Sequence, residues 1–121
     1  MPKAIKYESV TIASSAAVSG TFPLFGFRIS AIITPGTWTD ADISFELDPN
    51  GSGTFYKVED NSGSLVRCTG VATSAARYIL PPEAADAITG ELAKIVSTNT
   101  ASEADLNQGA DRSLVVVLIP L

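Results

Sequence analysis

The chain has 121 residues, 45% apolar and only 17% charged, with a formal net charge of −5, no histidine and one cysteine. That length fits one domain able to bury roughly two thirds of its unfolded surface. Eight scattered Lys and Arg among thirteen Asp and Glu argue against nucleic acid and against an anionic membrane as partners, and a lone Cys68 without His excludes both an internal disulfide and a zinc site.

The opening MPKAIKYESV lacks the apolar core of a signal peptide, and no run approaches the ~18 apolar residues of a membrane span. The expectation is a protein made in a cytoplasm that stays soluble until it meets its partner. Ile5, Tyr7, Val10 and Ile12 suggest a first strand with an imperfect two-residue register. Residues 1–20, with the small-residue run ASSAAVSG, read either as an arm that orders against a neighbouring subunit or as an edge strand and loop. Residues 21–121 read as a single β-sandwich domain. In GTFPLFGFRISAIIT, Phe25, Phe27, Ile29, Ala31 and Ile33 alternate on one face, while Pro23 and Gly26 fit an edge or a bulge. TPGTW is a turn.

ADISFEL places Ile43, Phe45 and Leu47 inward and Asp42, Ser44 and Glu46 outward, a half-buried strand. DPNGSG turns into TFYKVED, DNSG turns again, and SLVRCTG is a further short strand in which Cys68 packs as a small hydrophobe. ARYILP ends at Pro81-Pro82, and PEAADAITG holds one helical turn closed by Gly90. The β-branched Ile95 and Val96 make ELAKIVST a strand. TNTASEADLNQGADR is a polar loop, and SLVVVLIPL a buried last strand. About eight short strands with frequent turns predict an all-β chain, an antiparallel β-sandwich or jelly-roll-like fold with at most one short helical turn.

DPNGSGTFYKVE matches the spacing of an EF-hand calcium loop, with Asp48, Asn50, Ser52 and Glu59 at ligand positions 1, 3, 5 and 12 and Gly53 at the turn position. That loop works because flanking helices make its two ends converge. Here the flanks alternate with period two, so the segment is expected to be a hairpin whose Asn50-Gly51 and Ser52-Gly53 supply positive φ. Six carboxylates against one lysine between Asp40 and Asp60 keep Asp48, Asn50, Ser52 and Glu59 as weak metal candidates. No cofactor is expected.

Without histidine, the Ser-His-Asp and Cys-His arrangements are excluded, and no Gly-rich loop precedes a helix to cradle phosphate. The chain is therefore read as not an enzyme. Candidate interface residues are Ile5 and Tyr7 on the N-terminal strand, Phe22, and Trp38 beside the Pro35-Gly36 turn. The alternative for Trp38, and the preferred one, is a ring covering one end of the core. Phe22, like Phe25 and Phe27, is read first as core or edge covering.

WTDADISFELDPNGSGTFY (Trp38 to Tyr56), RYILPP (Arg77 to Pro82) and ADLNQGADRSLVVVL (Ala104 to Leu118) carry a resemblance. A Trp-Thr strand opening, a Gly-rich turn before Phe, a late Asn-Gln and an Asp-Arg before an apolar last strand resemble a group of small tailed-phage virion proteins. The likeness covers roughly the last two thirds of the chain and departs at AKIVSTNTAS, Ala93 to Ser102, where a basic strand and Ser-Gly-Thr would stand. It implies a capsid decoration (cement) protein on the virion surface. Such a protein binds the major capsid protein at hexamer junctions and is often a trimer. Competing expectations are a carbohydrate-binding module of a tail or head fibre, using Trp38, Tyr56 and Tyr78, and a tail or head-completion subunit.

Overall fold

Alternation of β-branched and aromatic residues produces eight strands in the computed structural model, which describes residues 4–88 and 90–121. Met1 to Lys3, the start of the expected arm, lie outside the described residues. The elements are β1 (Lys6–Ile12), β2 (Phe22–Pro23), β3 (Phe27–Ile33), β4 (Asp42–Asp48), β5 (Tyr56–Lys57), β6 (Arg77–Ile79), α1 (Pro82–Ala87), β7 (Leu92–Thr98) and β8 (Arg112–Pro120). They form two four-stranded antiparallel sheets, in the orders β1-β8-β3-β6 and β2-β7-β4-β5. The pairings β1 with β8, β2 with β7, β3 with β6 and β4 with β5 describe one long hairpin whose tip is the β4–β5 turn. Rolling it up sets β8 against β3 and β7 against β4, which is the jelly-roll arrangement. The all-β, jelly-roll-like expectation holds, and α1 supplies the single helical turn.

The core lies between the sheets. Val10, Ile12, Ile29, Ile32, Leu114, Val116 and Leu118 from one meet Phe22, Ile43, Phe45, Leu47, Ala93 and Ile95 from the other. Trp38 covers one end of this core, 2% exposed, with its indole Nε1 donating to Ala41 O at 3.2 Å. Removing so much apolar surface from water is the main stabilising term, at about 25 cal/mol per Å2.

Two expectations about phase are corrected. On β3 the five alternating positions do not share a face. Opposite β8 the register shifts between Ile29 and Ala31, a bulge at Ser30 that reverses the alternation. Ile29 and Ile32 therefore face the core, Ala31 and Ile33 face outward, and Phe25 sits in the preceding turn at φ 36°. SLVRCTG is not a strand; its backbone pairs through the isolated bridges Glu59 with Leu65 and Ile43 with Cys68, and Val66 N–H donates to Val58 O at 3.0 Å.

The ASSAAVSG segment is held within the sandwich. Ser15 N–H donates to Gln108 O (2.9 Å), Gln108 N–H to Ala16 O (2.9 Å), Ser97 N–H to Ala17 O (2.7 Å) and Ser19 N–H to Ile95 O (2.9 Å).

Candidate functional site

The two sheets differ in what lies on their outer faces. Outward-pointing Ser44, Val96 and Thr98 of the β2-β7-β4-β5 sheet are nonetheless buried. The 99–106 loop lies over them: Asp105 bonds Lys57 of β5 at 2.8 Å, and Glu103 accepts the Leu65 N–H at 3.0 Å and lies 3.8 Å from Arg67. The chain covers this face with its own loop.

Among the described residues, no loop is bonded across the outer face of the β1-β8-β3-β6 sheet as the 99–106 loop is across the other. Tyr7 stands opposite Val117, Val117 opposite Ala31, and Ala31 opposite Ile79, so one apolar row crosses all four strands. Val117 and Ala31 at its centre are buried, while Tyr7 and Ile79 at its ends are open. Half-buried Ile33, Val115 and Ile119 flank the row. Among the described residues, six large hydrophobic side chains are exposed. Five of these, Ile5, Tyr7, Phe25, Ile79 and Leu121, lie on this sheet or its rim, from 56% exposed at Ile5 to 72% at Ile79. Single exposed hydrophobics are ordinary, but a contiguous set marks a contact surface.

Phe25 joins the set from the β2–β3 turn, which is tied to the chain end by Leu121 N–H donating to Gly26 O at 2.9 Å. Among the described residues, the only charged ones whose strand positions point from this face are Arg28 and Arg77. It is therefore basic on a chain of net charge −5. An open groove of about 370 Å3 continues the face toward α1, between Arg28, Ile79, Ile119, Leu80 and Asp86; Asp86 lies 3.8 Å from Arg28.

Of the sequence candidates, Ile5 and Tyr7 are exposed on this face, because strand parity turns Val10 and Ile12 inward and these two outward. Phe22 and Trp38 are corrected as interface residues: each is 2% exposed, so neither offers surface to a partner. Ile79, Phe25 and Leu121 escaped sequence reading. The Tyr78-in, Ile79-out alternation of RYI held the signal for Ile79.

Asp48, Asn50, Ser52 and Glu59 do not form a shared cradle. Asp48 Oδ1 accepts the N–H groups of Asn50 (3.3 Å) and Ser52 (3.1 Å), and Oδ2 accepts that of Gly53 at 2.7 Å. These donors aim hydrogens at the carboxylate where a cation would need open lone pairs. Burial raises the Asp48 pKa, but the donors of Gly53, Asn50, Ser52 and Gly51 together outweigh it and hold it below the ordinary 3.8. Glu59 lies past β5, bridged to Leu65. Asp48 thus clamps the turn at the tip of the rolled hairpin. Among the described residues no group of three or more His, Cys, Asp or Glu gathers as a metal site.

The three aromatics of the glycan reading do not converge. Trp38 is buried, Tyr78 is half-buried with its hydroxyl donating to Thr69 O at 2.8 Å, and Tyr56 is exposed on the other sheet. Burial and then the neighbouring Asp42 push the Cys68 thiol up to about 12, far from a reactive thiolate.

Three residues of the resemblance, Thr39, Gln108 and Arg112, converge. Gln108, 1% exposed, accepts Thr39 N–H (2.9 Å) and Arg112 Nε–H (3.2 Å) at Oε1, and its Nε2 donates to Ser97 Oγ at 2.8 Å. Arg112 also donates to Thr39 Oγ1 at 3.2 Å, and Asp111 accepts Ser14 N–H at 2.7 Å. Thr39, Gln108 and Arg112 therefore meet, with Ser97, as a polar latch between β7, β8 and the loop before β4. Compared with protein-family models, curated proteins and solved structures, the chain matches none of them.

Proposed function

We propose that this protein is a non-enzymatic structural subunit that decorates an assembled phage capsid, docking on the major capsid protein through the outer face of the β1-β8-β3-β6 sheet. The observation that carries this reading is the apolar row Tyr7–Val117–Ala31–Ile79 with Ile5, Phe25 and Leu121 at its rim. A chain that covers one sheet with its own loop and leaves the other bare keeps that surface for contact. The phage assignment itself rests on the sequence resemblance, and a jelly roll is compatible with it as one of several uses of the fold. Arg28 and Arg77 suit an apolar capsid surface that presents carboxylates. Binding the assembled shell and not its free subunits stabilises the shell by mass action.

The test is the copy number of the polypeptide in purified virions, by quantitative mass spectrometry against the major capsid protein. A number comparable to that of the capsid protein is expected. A handful of copies, or none, retires the decoration reading. Ile79→Asp, on an exposed position, should leave folding intact and lower occupancy on shells added back in vitro by more than tenfold.

A further inference from the structure

Of the four sheet edges, three are formed by strands of two or three residues, β2, β5 and β6; the fourth is the seven-residue β1. Thr11 O on its outer side already accepts Gly20 N–H at 3.3 Å. That bond fixes the direction of the backbone groups. Even-numbered residues of β1 point toward β8, and odd-numbered residues point away from it. Among the described residues nothing pairs with the N–H and C=O groups of Tyr7 and Ser9, which line an open edge that ends where Gly20 covers Thr11.

We propose that a second copy of this chain pairs antiparallel with this edge, about a twofold axis through Tyr7. The charge pattern selects the register. Lys6 and Glu8 lie on the same side of β1, with Nζ and Oε1 3.3 Å apart. With Tyr7 opposite its twin, Lys6 of each copy faces Glu8 of the other, and four charges alternate around the axis. Moving the axis to Glu8 sets Glu8 against Glu8 and Lys6 against Val10. Moving it to Ser9 sets Lys6 against Ile12 and Tyr7 against Thr11, whose carbonyl is taken. Only the register centred on Tyr7 matches opposite charges, uses free backbone groups throughout and brings two tyrosines together on the outer face.

The contact is a strand addition in which main-chain hydrogen bonds hold and side chains set the register. It joins two four-stranded sheets into one of eight, with both bare faces on the same side. One face spans at most about 450 Å2 in projection, roughly half of the ~800 Å2 per partner of a standard interface. Edge pairing doubles it. The inference stands on the edge and its charges, independently of the capsid reading, and gives a twofold contact where the resemblance implies a trimer.

Sedimentation equilibrium of the full chain at high micromolar concentration, without shells, should give the mass of a dimer. Glu8→Lys or Lys6→Glu alone should weaken association at least tenfold, and the double swap Lys6→Glu with Glu8→Lys should restore it. Tyr7→Cys should cross-link into a covalent dimer under mild oxidation, since opposed residues of this pair type lie ~5.5 Å apart at Cα; Ser9→Cys, which faces Ile5, should not. A monomer at every concentration, a trimer, single swaps without effect, or equal cross-linking at both positions would overturn the proposal.

Discussion

Asp48 shows how a residue that satisfies a ligand pattern comes to serve the backbone. Its two oxygens accept three N–H groups of its own turn, and those donors lower its pKa below 3.8 despite burial. A carboxylate whose folded pKa lies below its unfolded one stabilises the fold above about pH 4, and that contribution disappears as pH falls through the folded value. Asp48→Asn keeps one acceptor but turns an amide N–H toward Gly53 N–H. The variant should therefore melt at a lower temperature at pH 7, and the gap from the parent protein should shrink as pH is lowered toward 2. Thermal melts of both proteins across pH 2 to 7 read this directly. A gap that stays constant with pH would mean that the carboxylate charge is not what holds the turn.

The sequence made the hairpin legible here because Asn50-Gly51 and Ser52-Gly53 carry the positive φ of 74° at Gly51 and 90° at Gly53. It gave no sign of which groups the Asp48 oxygens would accept, since that depends on how the turn closes. Burial of Trp38 and Phe22 was equally a matter of packing: each sits beside a turn in sequence, and the fold of distant segments covers both.

At the scale of elements, β-branched Ile95 and Val96 marked β7, and a continuous apolar run marked β8. The strand β1 showed only an imperfect register, because Ile5 and Tyr7 face outward and Val10 and Ile12 inward. Period-two alternation identified β4, which pairs with β7 in one register from end to end. It failed on β3, where a single unpaired residue at Ser30 reverses the faces. SLVRCTG, expected as a strand, meets β4 at a single bridge, Ile43 with Cys68, and does not extend into a ladder. The latch around Gln108 was visible only as isolated dipeptides, because its members lie up to 73 residues apart, as between Thr39 and Arg112. Among the described residues no buried side-chain polar atom lacks a partner, and Gln108 accounts for several of those satisfied groups. Gln108→Ala leaves Thr39 N–H and Ser97 Oγ without their buried partner, which should cost about 2–3 kcal/mol. Urea denaturation measures it. In the double variant with Thr39→Ala the losses should be less than additive, because the two side chains serve one network. Full additivity would show that Gln108 acts by filling space.

At the scale of the whole molecule, the sheets are alike in strand number and unlike in cover, and one residue connects that asymmetry to stability. Phe25 stands 59% exposed at φ 36°, a backbone region that side chains other than glycine disfavour. Neither burial nor backbone preference explains a large aromatic there, and such strain is retained where the surroundings or a function require it. Phe25→Gly removes the strain, at about 1–2 kcal/mol, and gives back about 0.4–1 kcal/mol through the freer unfolded chain. The isolated protein should become more stable by about 0.5–1 kcal/mol in urea denaturation. The same variant loses an aromatic from the rim of the bare face, and an interface anchor of this kind is commonly worth more than about 1 kcal/mol. If the proposed capsid docking holds, its affinity for shells should fall by roughly tenfold. A rise in stability together with a fall in binding would identify Phe25 as a contact residue held in place against its own backbone preference. A rise in stability with unchanged binding would remove that corner from the docking surface and confine contact to the row from Tyr7 to Ile79.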